Sequence, residues 1–383
     1  MKMDSTADRG AFVEAERILA QDVPFGSYEY ISTRVFGRYV ELLSMIAKSA
    51  PGARALFERM VTANGELRRL VLGDPLVRRT IEDGVGLYLL GRDAIDEQSL
   101  NEILTAADEH ARHRHTQLLA ETAGCVSISS APHHGYVWTG AIEDNIAARR
   151  FVMQCLGRLP MLRIEQPTDE ALGTITEAAK VVDRLLPELG RSALSHTSTV
   201  VVATSVEGSQ YKSLTVPGLP GVIFLSPTVL ASPVSAAEAM FHESMHVKLM
   251  DIDYAEHLFA AGFRPLSSPM VSPPWHSGDR KQRWPLDRLL TAMHVYTGLA
   301  VFFGRIDLER RRGGVTDRSE YPADPAMKYQ EAIERARYLS NTAQDHFNTF
   351  SAAGNSFIKW IAETQEPLDA PLLQHLQSTA TSE

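Results

Sequence analysis

The sequence predicts a mainly α-helical protein with a small β element, and three observations carry that prediction. Apolar residues recur at helical spacing from about Ile31 to Leu119, and again from Ala236 to near the C-terminus. Two short β-branched runs, Thr197 to Ala203 and Val222 to Leu225, stand between the helical stretches and are joined by a loop containing glycine and proline. No fixed-period internal repeat stands out along the chain.

Taken in order, the first ~25 residues are polar and weakly patterned, and partial disorder is expected there. The helical stretch from Ile31 is punctuated at Pro51-Gly52, Gly73-Asp74-Pro75 and Gly84. Within it Val35, Tyr39, Leu42, Leu43 and Ile46 mark one buried helical face. Between about Gly124 and Pro160 a Gly/Pro/Ser-rich connection contains Pro132-His133-His134-Gly135 and reads as a domain junction. Leu172, Ile175, Ala179, Val182 and Leu186 then mark an amphipathic helix ending before Gly190, and long helices are expected at 285–304 and about 325–363. The expected organisation is a helical N-terminal region over 1–125, a candidate for substrate binding, followed by a metal-binding catalytic domain over 126–383. In the latter, the metal site would lie between two helices.

Composition narrows the function classes. With 44% hydrophobic and 22% charged residues among 383, a sizeable core in a soluble globular protein is expected. A net charge of −9 excludes a nucleic-acid binder that relies on a broad basic surface. The N-terminus has no apolar h-region, and the apolar run Gly298 to Phe303 is far below the ~20 residues that cross a bilayer, so no membrane partner is expected. Two cysteines, Cys125 and Cys155, imply no disulfide framework, and the expectation is a cytoplasmic enzyme. The sequence has no Gly-rich phosphate loop, no Gly-x-Ser-x-Gly elbow and no Cys-x-x-Cys pair.

One motif carries chemistry. The second β run leads through Ser226-Pro227 to Ser235 and Glu238, which fit a capping box and place a helix start near Ala236. His242 and His246 follow at i and i+4 on one helical face, where two imidazoles can converge on a divalent metal. Glu243 projects about 100° around the helix and can stand beside the ion without ligating it. A hydrogen-bonded pair of histidines is the bland alternative. A third ligand is required. Leu249 and Ile252 occupy the positions where a metzincin has Gly and His, which excludes that class. Glu256 and His257 lie nearby, but the chain is expected to leave the helix around Asp251–Asp253. His294 is the better candidate, on a helix opened by Pro285, with Thr291, Thr297 and Gly298 on its face to allow close helix approach.

These residues resemble a family. The order Leu225-Ser226-Pro227, Phe241 to Leu249, Trp275, Arg283-Trp284-Pro285-Leu286 and His294-Val295-Tyr296 is similar to that of the HExxH-motif peptide-modification proteins of ribosomal peptide natural-product pathways. The similarity covers about residues 195–305. It implies an iron(II)- and 2-oxoglutarate-dependent enzyme that hydroxylates a side-chain β-carbon in a ribosomally made precursor peptide, with iron held by His242, His246 and His294. The distal carboxylate of 2-oxoglutarate suits a planar bidentate guanidinium, for which Arg283 is first choice, with Arg280 and Arg288 behind it. In such an enzyme Glu243 orients ligands or positions substrate.

Two other readings stay open. A zinc metallopeptidase would use Glu243 as general base on metal-bound water, although no downstream glutamate stands on the 285–304 helix before Glu309. A helical binding protein could hold a purely structural metal. Among the remaining features, His110, His113 and His115 read as a polar helical face. His133-His134 lies in a turn-like loop, and Arg310-Arg311-Arg312-Gly313-Gly314 reads as a helix end and solubilising loop.

Overall fold

The computed structural model describes residues 5–92, 94–113, 116–122, 125–128, 135–139, 146–206, 211–275, 282–312 and 324–368. Helices account for 69% and strands for 8%, so the fold is mainly α with a small β element. The chain forms two compact units built from discontinuous segments. The first comprises Met1–Tyr28, Val181–Ala193 and Lys248–Glu383, and the second comprises Glu29–Lys180 and Leu194–Val247.

In the second unit, consecutive helices at Tyr28–Ile46, Pro51–Thr62, Gly65–Leu72, Pro75–Leu90 and Glu97–His113 follow the punctuation of the sequence. Of the face that helical spacing marked, Val35, Tyr39, Leu43 and Ile46 are fully buried and Leu42 is partly buried. Asp74 caps the helix that Pro75 opens: its Oδ1 accepts from the backbone N–H groups of Leu76 and Val77, at 2.8 and 3.2 Å. Its Oδ2 accepts from Leu119 N–H at 2.7 Å. Burial pushes the Asp74 carboxyl up to about 6, with the three backbone donors opposing that shift.

The same unit holds a six-stranded mixed sheet. Its strands are β1 (Val126–Ser127), β2 (Tyr136–Val137), β3 (Leu162–Ile164), β4 (Thr199–Ser205), β5 (Ser213–Thr215) and β6 (Val222–Leu225). The order is β1-β2-β4-β6-β5, with β3 antiparallel on the far end of β4. β4 and β6 are the two β-branched runs of the sequence; they pair in parallel from Thr199↔Val222 to Val202↔Leu225 and are buried along that register. Burial of strands with helices on both sides of them in the chain explains the continuous apolar run in place of alternation. Gly221, at φ +73°, makes the turn into β6; a Cβ there would lie 2.8 Å from Ser198 Oγ.

From β6 the chain passes through a single 3₁₀ turn, Val229–Ala231, into the helix Pro233–Glu256. That helix begins three residues before the position expected from Ser235 and Glu238. Ser232 is the cap, its Oγ accepting from Ser235 N–H at 3.2 Å, and Pro233 pre-sets the first turn. The expected exit at Asp251–Asp253 is also corrected. Ile252 and Ala255 are fully buried, which sustains the helix to Glu256, where His257 at φ +53° ends it.

The first unit overturns the expectation of a partly disordered N-terminus. Ser5–Gln21 is a helix that buries Phe12, Ala15 and Leu19. Glu16 is buried as well, accepting from the backbone N–H of Glu188 at 2.9 Å and pairing with Arg305 at 2.6 Å. Phe12 packs edge-on to Tyr329 and against Gly304, where a Cβ would come within 2.3 Å of its ring. The long helix expected over 325–363 is two helices, Pro325–Gln344 and Ala352–Gln365, with Ser351 capping the second through Gly354 N–H. The helix Leu286–Arg311 is long and apolar enough to cross a membrane by length and composition. Its most apolar window is 78% buried within the protein, as in a core helix.

Lys248 is fully buried in this unit. Its Nζ donates to Leu19 O at 2.6 Å, Gly26 O at 2.8 Å and Ser192 Oγ at 2.9 Å. Burial pulls its ammonium down to about 7. Lys248→Met keeps the stem but deserts both carbonyls, and is expected to destabilise the protein by about 2 kcal/mol, read as a lower midpoint in urea denaturation.

Candidate metal centre

The site is built on the two turns of helix that follow β6. Phe241, Ser244 and Met245 are fully buried, while His242 and His246 are half-buried on the adjoining face. The i, i+4 spacing brings the two rings together with centroids 4.9 Å apart at 62°, and their Nε2 atoms lie 3.1 Å from each other. Two nitrogens so separated, each ~2.0–2.1 Å from one ion, would subtend about 100° at it, between the octahedral and tetrahedral values. The donor pair therefore fits a divalent cation. A histidine–histidine hydrogen bond accounts for the same separation, one Nε2–H donating to the other ring, whereas metal binding requires both Nε2 atoms bare.

Both residues between the histidines that point to the sheet are held there. Glu243 is 3% exposed, and its Oε1 accepts from Ser213 Oγ on β5 at 2.7 Å. The same Oε1 lies 3.9 Å from His242 Nε2. Burial pushes the Glu243 carboxyl up to about 7, with the Ser213 bond pulling the other way. Ser244, fully buried, shares a 2.8 Å hydrogen bond with Thr197 Oγ1 just before β4. Neither Ser213 nor Thr197 was marked as a site residue by the sequence, since only the tertiary pairing of β5 and β4 with this helix gives them a partner.

The other expected site residues belong to the first unit. His294 is fully buried on Leu286–Arg311, with its ring centroid 5.7 Å from that of Phe357 at 56°. Of the small residues on its face, Thr297 donates to Met293 O and accepts from Gln365 Nε2 at 3.0 Å, so it packs against Ala352–Gln365. Arg283 is exposed, and Arg288 is exposed with its guanidinium 4.7 Å over the Trp284 ring. Arg280 lies outside the described residues, as do His115 and His133-His134. Trp275 sits at the centre of an aromatic group, 6.1 Å from Trp284, 6.2 Å from Tyr296 and 5.5 Å from Tyr338, with Arg335 over both Trp275 and Tyr296. Glu256 and His257 close the end of the motif helix, where His257 O accepts from Ser351 Oγ at 2.6 Å. Among the described residues, no group of three or more His, Cys, Asp or Glu side chains is assembled to hold a metal. His110 bonds Thr116 O at 2.7 Å from the end of its helix.

No protein-family model matches the chain, and no curated protein matches it.

The Nε2 pair generates a direct test. His242→Ala and His246→Ala each leave one nitrogen, and either should abolish stoichiometric binding of a divalent metal. Far-ultraviolet circular dichroism should stay unchanged, because neither ring is buried in the core. Elemental analysis of the purified variants reads the first outcome; retention of full metal by either variant would remove the pair from the site.

Proposed function

We propose that this chain is an iron(II)- and 2-oxoglutarate-dependent hydroxylase acting on a side-chain β-carbon of a ribosomally made precursor peptide. The observation that supports a metal is the 3.1 Å Nε2 separation of His242 and His246 on a half-exposed helical turn. The likeness of residues 195–305 to the HExxH-motif peptide-modification proteins supports the iron, the 2-oxo acid and the peptide. A reducing cytoplasmic setting suits ferrous iron and the two free cysteines alike.

In this reading His242 and His246 would hold the iron, and the resemblance names His294 as the third ligand. Bound there, iron(II) supplies the oxygen chemistry, in which 2-oxoglutarate is decarboxylated to succinate and one oxygen atom enters a C–H bond of the peptide. Three neutral imidazoles leave the centre more positive than two plus a carboxylate would, which favours a dianionic cosubstrate. Arg283, with Arg280 and Arg288 behind it, provides the bidentate partner for the distal carboxylate. Glu243 is bonded to Ser213 and buried, so its part is to stand beside the ion and not to ligate.

A second reading, a zinc peptidase, has one observation in its favour. A carboxyl raised to about 7 is suited to general-base work at neutral pH, and Glu243 is such a group beside the histidine pair.

Reaction products separate the two. Protein purified without oxygen and given iron(II), 2-oxoglutarate, oxygen and short peptides encoded near its gene should release succinate and leave one peptide heavier by one oxygen atom. Both are read by mass spectrometry. Glu243→Gln should retain part of that activity. Peptide cleavage with zinc, without oxygen or succinate and lost entirely in Glu243→Gln, would install the peptidase instead.

A further inference from the structure

We propose that Ser213 is a positioning residue for Glu243, fixing which carboxylate oxygen faces the histidine pair. The inference rests on the reading of His242 and His246 as metal ligands. The terminal torsion of a glutamate is broad, so nothing in the side chain itself selects one oxygen over the other. Here a single oxygen, Oε1, both accepts the Ser213 hydroxyl proton at 2.7 Å and stands 3.9 Å from His242 Nε2. With Glu243 only 3% exposed, little water competes for that hydrogen bond.

The fold places Ser213 for this task. β5 is the edge strand, and Ser213 pairs in register with Leu225, the last residue of the strand that feeds the motif helix. Ser226 N–H, the next residue of that connection, donates to Lys212 O at 2.9 Å, tying the helix approach to the residue before Ser213. The helical turn has a second, separate tether in the 2.8 Å bond from Ser244 to Thr197. Loss of the Ser213 hydroxyl therefore leaves the turn in place and frees only the carboxylate. A freed Glu243 can swing away from the histidine pair or toward a bound cation, and either movement changes the negative charge that the cation meets beside Nε2.

The test uses the metal-free full-length protein and cobalt(II) as the probe, with affinity read by competition against a chromophoric chelator and geometry by the visible cobalt bands. Ser213→Ala should weaken cobalt binding about tenfold and change the band shape, the scale of loss seen when partners of metal ligands are removed. Ser213→Thr keeps the hydroxyl and should restore most of the affinity. In a Glu243→Ala background, adding Ser213→Ala should cost nothing further, because the serine acts through the carboxylate. Wild-type affinity in Ser213→Ala, no rescue by threonine, or an undiminished loss on the Glu243→Ala background would each overturn the proposal. Should wild type and His246→Ala bind cobalt equally, the metal reading itself falls and the proposal with it. A loss in His246→Ala without one in Ser213→Ala removes only the role of the serine.

Discussion

A helix buried on most sides can carry polar side chains only where each finds a partner, and this constraint organises the protein around Pro233–Glu256. His242, Glu243, Ser244, His246 and Lys248 fall within two turns, three of them almost fully buried. A buried donor or acceptor left alone costs about 1–3 kcal/mol, comparable to a large share of the stability of a domain. In the second unit, Ser213 and Thr197 meet Glu243 and Ser244. In the first unit, Leu19, Gly26 and Ser192 surround Lys248. Each partner comes from a segment distant in the chain. Polar geometry thus helps hold β5 and the start of β4 in the second unit, and the N-terminal helix with the turn after it in the first.

The same arrangement divides labour within the motif. The imidazoles keep part of their surface in water, where a small cation can reach them. The carboxylate between them is withdrawn from water, and its basicity reflects burial opposed by one hydroxyl. That asymmetry suits a centre in which nitrogen ligates and the carboxylate acts from behind. It also distinguishes Glu243 from Asp74, where three backbone donors meet the two oxygens and the role is to start one helix and hold another.

Much of the fold was legible because periodicity reports burial. The β-branched runs became β4 and β6, and Leu172 to Leu186 lie along the helix Asp169–Leu185 and just past its end. The misreadings have separate causes. Phe12, Ala15, Glu16 and Leu19 do mark a face, but a buried glutamate on it weakens the apolar signal until Arg305 is known to meet it. The choice between Ser232 and Ser235 as cap turns on Pro233, whose missing N–H makes it a first-turn residue and moves the start upstream. Of the site, the i, i+4 histidines follow from helix geometry alone. The hydroxyls that hold Glu243 and Ser244 are short polar residues in or beside strands, with no spacing that connects them to the motif. Only chain topology joins them.

The composition of Leu286–Arg311 has a consequence for handling the protein. This segment is apolar enough to pass for a membrane span, and 78% of its most apolar window is buried within the protein. Unfolding of the first unit exposes this 26-residue apolar helix, and exposed apolar surface favours association between unfolded chains. Durability will then be governed by how often the unit opens and not by how favourable the closed state is. An apparent melting temperature will rise with heating rate and fall with protein concentration.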